Sequence, residues 1–342
     1  MPSRHIAGAA SRVKARLTGR GIAFSPAQKQ MKGHIRMQEN RQWTVENDGA
    51  RLAVFEYGLP PAADAPTILL VHGYPDDHTV FHRVIEDLAA DHRVLAYDTR
   101  NAGASRVEAQ TDNPLAPYRL PLLVSDLYAV LASAGAEHVH LVGHDWGSVQ
   151  CWAAVRDPRA AGSILSFTSI SGPDLLHLRR WFAGCLQTPR RWLLAASQAL
   201  RSTYVAFFQL PVLPELLWRL VGPRYARLAA NRASDTGISA GTATDNGVRG
   251  LQLYRANLLG SGVSAYGLPP MIEVPVHVIV PLHDPFLSPR LTDGLREEVR
   301  DLRISPVDGG HWWPVEDSTA FCRMLRLAIA PPSDAGRITG QE

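Results

Sequence analysis

The chain has 342 residues, a hydrophobic fraction of 46% and a formal net charge of +3, which are ordinary values for a globular protein long enough to bury a large core. The positive charge is concentrated in residues 1–41, which carry nine Lys or Arg and one acid, Glu39. The remaining body is mildly acidic, so the charge does not favour nucleic-acid binding by the body, and we expect none. No stretch approaches the roughly 20 apolar residues of a transmembrane helix, and three cysteines without metal or disulfide spacing predict a cytoplasmic protein.

The two ends of the chain differ in composition from the middle. Residues 1–41 are predicted to be a basic, disordered extension, and residues 331–342 an exposed tail. An Arg-rich, acid-poor N-terminus is also typical of organelle targeting or of peripheral attachment to a membrane, so both stay open as alternative locations.

Strand-like and helix-like segments alternate from residue 43 onward. Short apolar strands separated by helices predict a mostly parallel sheet that helices cover on both faces, with right-handed crossovers. The predicted strands are 43–45, 53–57, 67–72, 93–97, 139–142, 164–170, 274–281 and 302–307, and the predicted helices are 80–90, 121–134, 147–156, 289–299 and 315–328.

This alternation is interrupted after Gly172. Residues 173–270 contain several helical patterns rich in Trp, Leu, Phe and Arg, and no convincing strand. The sequence therefore predicts an α/β core of residues 42–172 and 271–330, with eight strands, and a helical cap of residues 173–270 inserted after the sixth strand.

The segment Gly143-His144-Asp145-Trp146-Gly147 lies between a predicted strand and a predicted helix. This is the layout of a nucleophile elbow, a sharp turn that presents its central side chain at the top of a sheet. The central residue is usually serine, whereas here it is aspartate. A carboxylate is already ionised near neutral pH and can attack a saturated carbon to form an ester, so the sequence predicts Asp145 as the nucleophile.

A second motif, His72-Gly73-Tyr74-Pro75, stands at the end of the third predicted strand. Glycine at position 73 allows the backbone to approach a ligand closely. The amide of Tyr74, together with the amide of the residue after the nucleophile, Trp146, is predicted to form a two-donor oxyanion hole.

Two further residues complete the order nucleophile, acid, histidine that this arrangement requires. Asp284 follows the seventh strand and His311 follows the eighth, and ligands bind at these carboxyl ends of parallel strands. We therefore predict a catalytic triad of Asp145, Asp284 and His311. Asp174, just after the sixth strand, is the alternative acid, and His283 is not selected by its position.

Five motifs, HGYP, DTRNAGAS, GHDWG, LHDP and GGHW, together resemble those of epoxide hydrolases with the α/β-hydrolase fold, over roughly residues 43–330. The likeness is strongest to a bacterial type whose hydrolase is in some cases fused to a short-chain dehydrogenase. Because this chain ends at Glu342, we expect no such partner domain.

The resemblance implies further site residues. Two cap tyrosines of the family donate hydrogen bonds to the epoxide oxygen, and Tyr204 in YVAFFQLP and Tyr254 in LYRAN match their segments. The resemblance also implies a cis peptide bond between Tyr74 and Pro75. We place the remaining substrate contacts at His72, Phe208 and Trp312.

These features predict an epoxide hydrolase that turns a hydrophobic epoxide into a vicinal diol. Asp145 forms the ester, and a water molecule activated by His311 and Asp284 hydrolyses it. The partners are then a small epoxide and water, with no cofactor, metal or nucleic acid.

Two alternatives remain. A haloalkane dehalogenase uses the same aspartate, but it usually has Asn or Glu in place of Tyr74 and does not need the two cap tyrosines. A fluoroacetate dehalogenase typically has Arg in place of Trp146. A non-catalytic binding protein with this fold generally lacks a member of the triad.

Overall fold

The structure is a computed structural model, and the predicted ends of the chain lie almost wholly outside the residues that it describes. The first strand begins at Arg41, so the last residues of the predicted N-terminal extension belong to the folded body. The described residues are 39–61, 67–108, 111–233, 240–258 and 271–330.

The centre of the fold is one sheet. Its strands are β1 (Arg41–Asn47), β2 (Ala50–Gly58), β3 (Thr67–Val71), β4 (Arg93–Tyr97), β5 (Arg106–Val107), β6 (Val139–His144), β7 (Ile164–Ile170), β8 (Val276–Pro281) and β9 (Leu302–Val307). The strand order is β1-β2-β4-β3-β6-β7-β8-β9, with β5 paired to β2. Strand β2 pairs antiparallel with β1, β4 and β5, and all the other pairings in the sheet are parallel.

The predicted mostly parallel sheet is confirmed. Every residue of β3, β4 and β6 is buried. Such burial is expected of central parallel strands, because helices cover both faces of the sheet. All eight predicted strands are present. The ninth, β5, has only two residues, which is too short for a pattern of alternating hydrophobicity to reveal it.

Helices flank the sheet, and five of them lie between β7 and β8 in the described residues. Those five, α4 to α8, occupy the segment that the sequence assigns to the cap; its last residues, 259–270, lie outside the described part. The helices are α1 (His82–Leu88), α2 (Leu120–Ser133), α3 (Trp146–Arg156), α4 (Leu175–Gln187), α5 (Trp192–Arg201), α6 (Thr203–Phe208), α7 (Leu213–Ala233), α8 (Ala240–Asn257), α9 (Trp313–Glu316) and α10 (Ser318–Ile329).

The helix predicted over 289–299 is wrong. The chain forms two short 3₁₀ turns instead, Pro289–Thr292 and Leu295–Glu297. Between them Asp293 is extended (ψ 124°) and Gly294 has φ 86°, a left-handed conformation that ends a right-handed helix. The helix predicted over 315–328 is similarly divided at Asp317, whose side chain caps α10.

Among the described residues, we find no helix with the length and apolar character needed to cross a membrane. The cytoplasmic location stays a prediction.

Candidate active site

The turn between β6 and α3 holds Asp145 in an unusual backbone conformation, with φ 52° and ψ −121°. The two flanking glycines make this turn possible. A Cβ atom at Gly147 would lie 2.0 Å from the carbonyl oxygen of Val71, and one at Gly143 would lie 2.6 Å from the Cα of Ser148. The carboxylate therefore stands at the N-terminus of an 11-residue helix, where the helix dipole favours a negative charge.

One carboxylate oxygen of Asp145 is held by a backbone amide. The Tyr74 amide donates to Oδ1 over 2.7 Å, and the Trp146 amide lowers the pKa of the same carboxylate. A side chain at Gly73 would prevent this approach, because its Cβ would lie 2.4 Å from Oδ1. The Tyr74–Pro75 peptide bond is cis, which confirms that prediction. The Tyr74 amide thus holds an oxygen of Asp145, as expected for one donor of the predicted oxyanion hole.

The other carboxylate oxygen faces a histidine. Nε2 of His311 lies 3.6 Å from Oδ2 of Asp145, and Nδ1 of the same ring lies 2.9 Å from Oδ2 of Asp284. Asp284 is fixed in turn by the amides of Phe286 (2.8 Å) and Leu287 (3.2 Å), which donate to its Oδ1. The structure therefore brings Asp145, His311 and Asp284 into one chain of contacts.

The alternative acid, Asp174, has a different role. Its Oδ1 accepts the Leu176 amide at the start of α4, and its Oδ2 accepts two hydrogen bonds from Arg156, over 2.8 and 2.5 Å. His283 lies on the surface, where it pairs with Asp308 over 2.8 Å. Of the candidate acids, Asp284 is the one that contacts His311.

Burial dominates the electrostatics of this cluster. Burial raises the pKa of Asp145 to about 6, although His311 and the Tyr74 and Trp146 amides lower it and Asp76 raises it further. For His311, burial opposes protonation, but the carboxylates of Asp284, Asp145 and Asp76 outweigh it and raise the pKa. Burial also acts to raise the pKa of Asp284, but its hydrogen bond and attraction to His311 lower it overall. At neutral pH Asp145 is thus an ionised, poorly solvated carboxylate.

Two cavities meet at these residues. We call the first the Trp312 chamber and the second the Leu178 chamber. Five residues border both chambers: Asp145, Tyr204, Tyr254, Phe286 and His311. The Trp312 chamber is further lined by Tyr74, Pro75, Phe208, Trp218, Tyr225 and Trp312, and the Leu178 chamber by Trp146, Val149, Ser171, Gly172, Pro173, Leu175, Leu178, Gln198, Ser202, Val205, Leu258 and Leu287.

The two cap tyrosines lie together beside Asp145. The ring centroids of Tyr204 and Tyr254 are 5.8 Å apart. Burial is the main cause that raises the pKa of both phenols, and the charge of Asp145 raises both further. Both hydroxyls therefore stay protonated and are available as donors.

Two of the three predicted substrate contacts line a chamber. Phe208 packs edge-to-face on Tyr254, with ring centroids 5.0 Å apart. Trp312 packs in the same way on His311, with ring centroids 4.7 Å apart. The third, His72, is wrong. It is 1% exposed, its Nε2 accepts the Thr99 amide and its Nδ1 donates to the carbonyl of Gly73. His72 therefore ties the end of β3 to the end of β4, away from both chambers.

The sequence analysis missed three buried polar residues that support the site. Asp76 accepts hydrogen bonds from Tyr225 in the cap (2.6 Å) and from the indole of Trp312 (3.0 Å), and burial raises its pKa. His144 and Ser171 both bond the carbonyl of His311. The sequence pointed to these residues only through their position in or beside the motifs. Their contacts join residues up to 236 positions apart, which no local sequence pattern reveals.

Comparison with known proteins gives a consistent result. Residues 66–318 match the family model of the alpha/beta hydrolase fold. A Mycobacterium tuberculosis protein named probable oxidoreductase EphD is 35% identical over 278 residues, which are 78% of this chain and 46% of that protein. Epoxide hydrolase 3 of Xenopus tropicalis is 28% identical over 188 residues, 55% of this chain and 44% of that protein. The chain thus spans about half the length of these curated relatives.

Solved structures resemble the fold as well. A Bacillus megaterium epoxide hydrolase, crystallised with an inhibitor, superposes with a TM-score of 0.66 at 20% identity. The match covers 84% of this chain and all of the other.

Proposed function

Since the chain belongs to the alpha/beta hydrolase fold family, we propose that it is an epoxide hydrolase, which converts a hydrophobic epoxide and water into a vicinal diol. One observation carries this proposal: a carboxylate at the elbow, Asp145, and two tyrosine hydroxyls, those of Tyr204 and Tyr254, border the same two chambers. A carboxylate supplies the nucleophile, and the hydroxyls supply the acid that an epoxide oxygen needs when its ring opens.

The relatives support this assignment. Xenopus epoxide hydrolase 3 is named for the activity. The mycobacterial relative is named an oxidoreductase, but the match covers 46% of that protein, so its name describes a longer chain than the one compared. The chambers are lined mainly by aromatic and aliphatic side chains, which favours a hydrophobic epoxide.

Ring opening is the first step. Oδ1 of Asp145 is held by the Tyr74 amide, so we assign the attack to the other oxygen, Oδ2. A new bond forms between Oδ2 and one epoxide carbon, and the bond from that carbon to the ring oxygen breaks. The oxygen leaves as an alkoxide and takes a proton from Tyr204 or Tyr254.

Hydrolysis of the ester is the second step. His311, oriented by Asp284, takes a proton from water, and the hydroxide adds to Cγ of Asp145. The negative charge then develops on Oδ1, where the amides of Tyr74 and Trp146 stabilise it. Collapse of the intermediate breaks the bond between Cγ and Oδ2.

The protons balance over the two steps. The departing oxygen of the diol takes the proton from His311, and the new carboxylic acid of Asp145 returns a proton to the tyrosinate. One epoxide and one water thus give one diol, and the side chains return to their starting state.

The direct test is incubation of the purified protein with aliphatic, styrene-type and fatty-acid epoxides, followed by chromatography of the products. We expect diol formation from at least one epoxide, and none from an Asp145→Asn variant. In a parallel assay on chloroalkanes and bromoalkanes, halide release without diol formation from any epoxide would instead identify a haloalkane dehalogenase. Binding of epoxides without turnover would identify a non-catalytic member of the family.

A further inference from the structure

The cap carries most of the exposed large hydrophobic side chains among the described residues. Among the described residues fifteen large hydrophobic side chains are exposed, and eleven of them lie in the cap, between residues 186 and 228. Scattered exposed leucines are normal, but a concentration in one segment marks an interaction surface. The eleven are Leu186, Trp192, Leu193, Leu200, Leu210, Val212, Leu213, Leu216, Leu217, Leu220 and Leu228.

Helix α7 shows why these side chains need a partner. Leu213, Leu216, Leu217 and Leu220 follow the spacing i, i+3, i+4, i+7, which is typical of the face that a helix turns toward a core. Here that face is turned outward, with side chains 42–66% exposed. The inner face of the helix carries Trp218, which lines the Trp312 chamber. The helix is therefore apolar on both faces.

The turn before α7 extends this outward row. Val212 is 61% exposed and has φ 69°, a conformation that is rare for a β-branched residue and costs energy. The turn thereby adds one more aliphatic side chain to the outside of the cap. We call Val212, Leu213, Leu216, Leu217 and Leu220 the α7 stripe.

Helix α5 repeats the pattern. Leu193 and Leu200 are seven residues apart, on the same side of the helix, and are 82% and 71% exposed. Trp192, at the start of this helix, is 55% exposed. Two cap helices thus present leucines outward.

The charge of the same segment is strongly positive. Residues 175–229 contain eight arginines and one acid, Glu215, which is already paired with Arg255 over 2.7 Å. Arg180 and Arg191 pair with Glu298 and Asp293 over 2.8 and 3.3 Å, and Arg201 donates to the carbonyl of Asp284, so the other five arginines carry the charge argument. A second copy of the chain would set arginines against arginines, whereas a negatively charged surface complements them. The eight are Arg179, Arg180, Arg190, Arg191, Arg201, Arg219, Arg224 and Arg227.

We propose that the cap docks on the surface of an anionic lipid bilayer, with the α7 stripe in the lipid and arginines at the headgroups. Helices with Leu and Trp on one face and Arg beside them lie in the interface in this way. Long arginine side chains reach the phosphates while their stems stay in apolar surroundings. If the proposed function holds, a lipid-dissolved epoxide then needs to pass only the depth of one helix to reach the Trp312 chamber.

Vesicle flotation tests the proposal with lipid alone. The full chain is mixed with vesicles of phosphatidylglycerol and phosphatidylcholine, or of phosphatidylcholine alone, and the bound fraction is measured. We expect binding to the anionic vesicles that weakens as salt rises. The Leu216→Gln/Leu220→Gln double variant should bind at least tenfold more weakly, because two leucines no longer enter the lipid.

A matched control separates docking from a general effect of removing leucines. Leu165 and Leu327 lie outside the cap and are 45% and 66% exposed, close to the 50% and 66% of Leu216 and Leu220. The Leu165→Gln/Leu327→Gln variant should bind vesicles like the unchanged protein. Both pairs are exposed, and circular dichroism checks that both variants fold.

A second pair of variants tests the charge. Arg190→Gln and Arg219→Gln should each weaken binding to anionic vesicles about fivefold, since one basic residue near such a surface contributes about 1 kcal/mol. Binding to pure phosphatidylcholine should change little.

Three outcomes would overturn the proposal: no binding to anionic vesicles, equal loss in the stripe and control variants, or a dimer that the stripe variant converts to monomers without any vesicle binding. The last would assign the stripe to a second copy of the chain. Diol formation from a dispersed epoxide in vesicle-free buffer is measured separately, so failure of the proposed activity does not count against docking.

Discussion

An aspartate in place of a serine changes which half of the reaction the backbone amides serve. The Tyr74 amide already contacts Oδ1 of Asp145 in the free protein. In the first step of the proposed mechanism this contact stabilises the ionised nucleophile and leaves Oδ2 for attack. In its second step Oδ1 gains charge, and the same amide becomes an oxyanion-hole donor.

The raised pKa of Asp145 has a consequence for the pH dependence. Burial raises that pKa to about 6, so the nucleophile is ionised above this pH and becomes protonated below it. We expect the rate constant of ester formation, measured by rapid quench, to fall about tenfold per pH unit below about pH 6. A rate that stays constant from pH 7 to pH 5, with the fold intact by circular dichroism, would contradict this.

In the proposed mechanism, ester formation also affects His311. The carboxylates of Asp284, Asp145 and Asp76 raise its pKa, and the ester removes the charge of Asp145. The pKa of His311 therefore falls when the ester is present, which favours the neutral ring that a general base requires.

Removal of this base should trap the ester. In a His311→Gln variant, Asp145 can still open the ring, but no group activates the water. Intact-mass spectrometry after addition of an epoxide should give the protein plus one substrate mass. The Asp145→Asn/His311→Gln double variant is the control and should stay unmodified; a mass increase in it would place the adduct elsewhere.

The two phenols should contribute strongly to ring opening. Tyr204→Phe and Tyr254→Phe should each slow it about 100-fold, because each removes a donor to the developing alkoxide. The double variant should be almost inactive. Tyr128→Phe is the control, since it removes a hydroxyl that bonds the Ala154 carbonyl and lies outside both chambers. Near-normal activity of the double variant would remove the tyrosines from the mechanism.

At the scale of elements, the elbow depends on close contact between α3 and β3. A Cβ at Gly147 would lie 2.0 Å from the backbone oxygen of Val71, and backbone atoms cannot move aside as a flexible side chain can. We expect Gly147→Ala to lower the melting temperature by several degrees and to abolish activity, since α3 and Asp145 shift together.

Gly184 provides the matched comparison. It lies inside α4 with no heavy atom within 4 Å of an added Cβ. Gly184→Ala should leave activity unchanged and stabilise the protein by up to about 1 kcal/mol, because alanine has the higher helix propensity. Equal melting temperatures for the two variants, measured by calorimetry, would contradict the packing argument.

The elements differ in how far the sequence predicts them. The elbow was predictable because Gly143 and Gly147 flank Asp145 at a strand-to-helix junction, a local pattern with one structural solution. The segment 289–299 was not, because its helical periodicity gives no sign that Gly294 would adopt φ 86°.

Individual site residues also divide into those that a local sequence pattern predicts and those that it does not. Asp145, Asp284 and His311 stand at strand ends, and parallel strands bring such positions to one edge. Asp76 and Trp312, by contrast, meet through a contact between residues 236 positions apart, and no local pattern predicts it. His72 was misassigned because its motif predicts nearness to the site and not the direction of its ring.

At the scale of the whole molecule, the site is assembled from the core and the helices inserted in it. The core contributes Asp145, Asp284 and His311, and the inserted helices contribute Tyr204 and Tyr254. Polar contacts fix one part to the other: the Tyr74 hydroxyl donates to the carbonyl of Gly247 over 2.8 Å, the Tyr225 hydroxyl to Asp76 over 2.6 Å, and the Gly103 amide to the side chain of Asn246 over 2.9 Å. The tertiary fold thus fixes the positions of the proposed nucleophile and the proposed proton donors relative to each other.

The central claim is that Asp145 attacks the substrate and water attacks Asp145. A single turnover in ¹⁸O-labelled water, with enzyme in excess over epoxide, tests it most directly. The first diol should carry no label, because its new oxygen comes from Asp145, and mass spectrometry should find the label in the peptide that contains Asp145. A labelled first diol with an unlabelled peptide would mean that His311 drives water directly onto the epoxide, and it would contradict the ester mechanism.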